Sequence, residues 1–207
     1  MLKSFISVIV SLFVFATVFA QNTKEPVVQI STNYGIIKVK LYNETPVHRD
    51  NFLKMVKEGK YEETDFYRVI NTFIIQGGEV KDGGNMKTLP AEIIPGKYHK
   101  RGALAAARGD DLVNPEKESS PCEFYIVVGK VYEYDLMDRI GDRIGYKFNE
   151  EQKKVYSTTG GAPHLDGGYT VFGEVIAGMD VVDKIASTPV NGETPMEVIS
   201  VKMKVIE

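Results

Sequence analysis

Residues 66–79 read FYRVINTFIIQGGE. Two short apolar runs flank Asn71-Thr72; the first holds one arginine, Arg68, and the second ends in Gln76-Gly77-Gly78. With the side-chain alternation of a strand, Arg68 shares a face with Phe66 and Ile70, while Tyr67 and Val69 take the other. Both faces are then apolar, which predicts a largely covered strand. A guanidinium in such a strand needs partners, because it is almost never buried unpaired.

Working outward, the N-terminal side offers two strands within residues 27–42, separated by a tight turn at Asn33-Tyr34-Gly35. In the second, Ile37, Val39 and Leu41 alternate with Lys38 and Lys40, the pattern of a strand with one wet face. A helix follows, with Thr45 as N-cap, Pro46 in the first turn, an apolar stripe of Val47, Phe52, Met55 and Val56, and Gly59 as terminator. On the C-terminal side, 101–107, 123–129 and 170–175 read as strands. The segment 123–129 is apolar on both faces and therefore central. A short helix is expected around 179–185, and a last strand where Ile199, Val201, Met203 and Val205 alternate with Ser200, Lys202 and Lys204. Many short strands with two helices favour a β-sandwich or a closed barrel with helices over its ends. Residues 130–163 break this rhythm: they are polar and helix-leaning, with Leu136, Met137, Ile140 and Ile144 at helical spacing. They form an insertion between strands.

The first twenty residues combine Lys3, an apolar stretch from Phe5 and small residues up to Ala20. This is the pattern of a secretory signal peptide cleaved before Gln21, an uncleaved membrane anchor being the alternative. Residues 21–207 then form the mature domain, with export to the periplasm or the medium and no membrane contact after cleavage. Losing Lys3 takes the formal charge from −3 to −4. No basic patch of the kind nucleic-acid binding requires is present. The single cysteine, Cys122, has no intramolecular disulfide partner, so the core must hold the fold unaided.

P-loop, GxGxxG, HExxH, GxSxG and paired CxxC patterns are absent from the sequence, and the three histidines lack metal-ligand spacing, so no metal or cofactor is expected. What remains is the opening stretch together with GALAAAR at 102–108 and HLDGGYTVFGEVIAGMDVVDKI at 164–185. These three motifs, in this order, closely resemble those of cyclophilin peptidyl-prolyl isomerases. The resemblance extends over roughly residues 27–206, with 130–163 as the unmatched block. It implies a mostly β fold, a closed eight-stranded antiparallel barrel capped by two helices, acting as a monomer on proline-containing flexible segments.

The implied reaction is rotation about an X-Pro bond, whose partial double bond sets a barrier of about 18–20 kcal/mol. No covalent intermediate or cofactor is needed; the twisted amide must only be held better than the planar one. Arg68 matches the family's catalytic arginine, and Gln76 the glutamine that steadies it. The pocket residues of the family fall on Phe73, Ile74, Tyr125 and Leu165, and Ala107 on the small residue along the peptide path. Without the resemblance Phe73, Ile74 and Tyr125 read as core, because apolar strand residues usually serve packing. His164 stands where the family has tryptophan, Tyr169 where it has histidine, Tyr125 where it has phenylalanine, Glu123 where it has glutamine and Arg108 where many members have asparagine. A proline-binding chaperone with little turnover is the alternative these departures raise. The insertion joins pocket segments at both ends, so it either flanks the groove or decorates the surface.

Overall fold

The structure is a computed structural model that describes residues 24–207; the expected signal peptide lies outside the described residues. The first two strands, β1 (Val27–Thr32) and β2 (Gly35–Leu41), form the expected hairpin, with Thr32 opposite Gly35. After the helix α1 (Pro46–Lys57) come β3 (Thr64–Asp65), β4 (Arg68–Ile70) and β5 (Ile74–Gly77). Then follow β6 (Ala103–Ala106), β7 (Phe124–Val127), the insertion helices α2 (Leu136–Ile144) and α3 (Glu150–Thr158), and β8 (Val171–Ala177). The chain ends with α4 (Met179–Ala186), the small hairpin β9 (Val190–Asn191) and β10 (Thr194–Pro195), and β11 (Ser200–Val205).

Nine strands form one antiparallel sheet in the order β3-β11-β1-β2-β8-β6-β7-β5-β4. Its end strands β3 and β4 are separated by only Phe66 and Tyr67, so the sheet must curl until its edges meet. The mostly β fold is as expected, but the closed eight-stranded barrel is in this respect corrected: the curled sheet has nine strands, and no β3–β4 ladder joins its edges among the described residues. The β9–β10 hairpin covers the free edge of β4 instead, with the Val69 amide donating to the Glu193 carbonyl at 2.7 Å. An edge strand covered in this way is withdrawn from intermolecular pairing.

The alternation within each strand sorts residues between two apolar clusters. Ile75, Leu104, Ala106, Phe124 and Ile126 point into the barrel interior, where α1 and α4 close the core with Phe52, Met55, Val182 and Ile185. Ile74, Ala103, Ala105, Tyr125 and Val127 face outward, and the segment bearing Ala162, Leu165 and Tyr169 covers them. This double covering explains why β5 and β7 are apolar on both faces.

The phase of the opening stretch differs from the expectation. The chain leaves strand conformation at Phe66 and Tyr67, so alternation does not carry through them. Phe66 is core, as is Val69, whereas Arg68 and Ile70 are half-buried. The glycine after β5 allows a close approach: a Cβ on Gly78, whose φ is 89°, would lie 2.3 Å from the Cys122 carbonyl oxygen.

The start of α1 is also held differently. Thr45 makes no side-chain cap. Glu92, from the loop before β6, accepts from the Val47 and His48 amides at 3.0 and 2.9 Å and from His48 Nδ1 at 2.7 Å. A carboxylate at a helix N-terminus satisfies free N–H groups and opposes the macrodipole. Glu92→Ala is expected to lower stability by about 2 kcal/mol, the upper range for a lost cap, as read by chemical denaturation.

His48 is buried, and its Nε2 has no partner among the described residues. Burial holds the His48 imidazole below its ordinary value of 6.5. The unfolded chain therefore binds more protons as pH falls through about 6.5, and stability is lost on that side until the lower folded-state value is passed. The denaturation midpoint should fall between pH 7.5 and 5.5, and His48→Gln should flatten that slope.

The insertion contains a small apolar cluster of Met137, Phe148 and Tyr156, packed against Tyr98 of the preceding loop. Asn149 and Gln152 form a reciprocal capping box at the start of α3.

Candidate active site

The pairing register lines up one row of residues across four strands. Arg68 of β4 lies opposite Gln76 of β5, Gln76 opposite Tyr125 of β7, and Tyr125 opposite Ala105 of β6. Directly opposed residues in antiparallel strands project to the same face, so these side chains share the outer face. Ile74 lies two positions from Gln76 on that face. The turn joining β4 to β5 passes through Thr72 at φ 62°, a costly conformation for a β-branched residue, and delivers Phe73 beside the row.

These residues line a cavity of about 230 Å³, bounded by Arg68, Phe73, Ile74, Gln76, Ala107, Arg108, Tyr125, Leu165 and Tyr169. Of the residues expected at the site, all but His164 take part in this lining. His164 is exposed at the edge and packs its ring against Phe73, with centroids 5.1 Å apart. The floor is apolar and buried at Ile74 and Tyr125. Arg68 and Arg108 supply the cationic groups of the lining.

Arg68 is held from two sides. Its Nε donates to Glu193 Oε2 at 2.6 Å, and its Nη1 donates to Gln76 Oε1 at 3.0 Å. Nη2 keeps no protein partner among the described residues. The Gln76 amide donates in turn to the Tyr67 hydroxyl, which donates to Glu123 Oε1 at 2.9 Å. Burial, reinforced by Glu123, raises the Tyr67 phenol above its ordinary range, so it stays protonated as the donor of this relay. The relay fixes the orientation of the Gln76 amide. Since the Arg68–Glu193 pair is partly exposed, its main effect is to aim the guanidinium rather than to stabilise the fold.

Four participants fell outside the expected site, among them Glu123, which accepts from Tyr67 and was noted only as a departure from the family pattern. Glu193 reaches Arg68 only because the β9–β10 hairpin docks on β4, a long-range event with no local signal. Tyr67 joins the relay because the chain breaks phase at that residue. Arg108, noted only as a departure from the family pattern, is nearly buried. It donates to the Gly168 carbonyl at 2.6 Å and to Asp111 at 2.6 Å, and lies over the Tyr169 ring at 4.4 Å. It thereby braces the Tyr169 wall.

A buried tyrosine hydroxyl needs a partner, and Tyr125 finds one in His99 Nε2 at 3.0 Å. No group of three or more His, Cys, Asp or Glu side chains among the described residues is placed to hold a metal ion.

Residues 27–205 match the family described as cyclophilin type peptidyl-prolyl cis-trans isomerase/CLD. A peptidyl-prolyl cis-trans isomerase of Acinetobacter baylyi is 33% identical over 86% of this chain and 86% of its own length. Peptidyl-prolyl cis-trans isomerase B of Escherichia coli is 34% identical over 76% of this chain and 82% of its own. Among solved structures, a cyclophilin type peptidyl-prolyl cis-trans isomerase of Cryptosporidium parvum superposes with a TM-score of 0.67 at 24% identity, covering 88% of this chain and 98% of that one, a likeness of fold. The matched span runs from β1 to the last residue of β11 and so takes in every strand that shapes the cavity; the chain belongs to the cyclophilin-type peptidyl-prolyl cis-trans isomerase family.

Proposed function

We propose that the chain accelerates rotation about X-Pro bonds in flexible segments of exported proteins, binding the prolyl ring in the cavity over Ile74 and Tyr125. Twisting the amide localises the lone pair on the prolyl nitrogen. A donor aimed at that nitrogen stabilises the twisted amide and interacts poorly with the planar one. The observation that carries this reading is Arg68: it stands over the apolar floor of the cavity, is fixed by Glu193 and Gln76, and keeps one N–H edge unused. Guanidinium is always charged and presents its donors in a rigid fork, so little reorganisation is needed as the amide twists. Lowering the barrier by about 7 kcal/mol corresponds to about 10⁵-fold acceleration.

Export rests on the character of residues 1–20, and action as a monomer is part of the same proposal. Exchange spectroscopy on an X-Pro peptide with substoichiometric protein tests the activity. Cis–trans cross-peaks that appear on protein addition support it, and uncatalysed rates at saturating protein would remove it. Recovery of the chain from the periplasm or medium, starting at Gln21, would test the export.

A further inference from the structure

One buried chain of hydrogen bonds ties the floor of the cavity to the insertion. The Tyr156 hydroxyl, in α3, donates to Asp166 Oδ2 at 2.7 Å. Asp166 Oδ1 accepts from the His99 backbone amide at 2.8 Å and from His99 Nδ1 at 2.7 Å. His99 Nε2 meets the Tyr125 hydroxyl at 3.0 Å. All four residues are at most 5% exposed.

The donor directions follow from the chemistry of the groups. Asp166 as a carboxylate only accepts, so His99 carries a proton on Nδ1, and in the neutral ring Nε2 then accepts from the Tyr125 O–H. Burial raises both phenols, which therefore remain donors. Every side-chain polar atom of the chain is then matched, the condition under which a buried network rigidifies its surroundings. The floor and one wall of the cavity hang from it. Tyr125 is its last member, and Leu165 directly precedes Asp166 in sequence. The ring of Tyr169 stands edge-on to both His99 and Tyr125, with centroids 6.2 and 6.0 Å away.

We propose that Tyr156, Asp166 and His99 are positioning residues for the prolyl pocket, so that the insertion sets the placement of Tyr125 and Leu165 without touching the substrate. The inference rests on the reading of the cavity as the X-Pro site. The floor meets the ring alike in planar and twisted states, so loosening it removes uniform binding and raises KM with little change in kcat. Arg68 acts on the opposite term.

The test uses the full mature chain and an X-Pro tetrapeptide, with Kd from NMR titration and kcat and KM from exchange kinetics. Tyr156→Phe removes one hydroxyl outside the cavity lining. It is expected to raise Kd and KM about five- to tenfold, the size of one lost buried hydrogen bond, with kcat within about twofold. Tyr125→Phe should change the same quantities, and the double variant should show less than the product of the two effects, because both act through one chain. Tyr134→Phe, which releases only the exposed contact between Tyr134 and Glu150, should match wild type. Should Tyr156→Phe unfold, Asp166→Asn, which keeps the volume and an acceptor for His99, decides by the same readouts. A lower melting temperature with Kd and KM unchanged would overturn the proposal and leave a structural brace. Wild type that binds peptide without speeding exchange removes the isomerase reading while the Kd values still decide the positioning one. Wild type that does not bind overturns both.

Discussion

Arg68→Ala is expected to lower kcat/KM for X-Pro isomerisation about 10²- to 10³-fold, the range for losing one preorganised donor aimed at developing charge. The loss should fall on kcat. The cavity floor at Ile74 and Tyr125 and the wall at Leu165 do not depend on the guanidinium, so peptide Kd should move by less than about threefold. Arg68→Lys should recover only part of the rate. An ammonium keeps the charge but cannot at once donate to Glu193, to Gln76 and to the substrate along the fixed directions of a planar fork. Folding should be little affected, because the Arg68–Glu193 pair is partly exposed and such pairs contribute roughly 0–1 kcal/mol.

The largest expected effect on stability is at Phe124. Its ring is almost fully buried and meets those of Phe52, Tyr61 and Phe66 edge-on, at centroid distances of 5.5, 5.7 and 6.0 Å. These neighbours come from α1, the loop after it and the β3–β4 link, so one side chain joins the helical cap to both edges of the curled sheet. Phe124→Ala should cost about 3–5 kcal/mol, combining lost transfer energy with a cavity that rigid neighbours cannot fill. Against a typical total of about 5–15 kcal/mol, that is a large fraction, and the denaturation midpoint should fall accordingly. Phe124 points into the barrel while Tyr125 points into the cavity. At low temperature the folded fraction should therefore bind peptide with near wild-type affinity.

The strands were legible because alternation is a local signal. Lys38 and Lys40 mark the wet face of β2, and the double apolar pattern of 123–129 marks β7 as a strand covered on both sides. Arg68 was legible because a guanidinium among apolar strand residues demands an explanation. Its geometry was not. Periodicity assigned Tyr67 and Phe66 to the wrong sides because it assumes an unbroken strand, and the chain breaks between β3 and β4 at those two residues. Glu193 and Glu92 act through contacts 125 and 44 or more residues away in sequence, and nothing local marks either as a partner. Thr45 has the composition of an N-cap, but a carboxylate from another loop occupies that role. His164 was placed in the pocket by motif position, whereas packing on Phe73 leaves it at the edge. The insertion was legible as helical, and its link to the cavity was not. That link depends on Tyr156 meeting Asp166, and with it on the polarity of His99.

On the proposed mechanism Arg68 stabilises the twisted amide rather than merely helping to hold the peptide. Line-shape or exchange analysis of one X-Pro peptide, saturated in turn by wild type and by Arg68→Ala, measures the cis–trans rate within the bound state and the affinity in the same samples. The bound-state rate should be about 10²- to 10³-fold slower in Arg68→Ala at nearly unchanged Kd. Equal bound-state rates for the two proteins, with the difference confined to Kd, would contradict it.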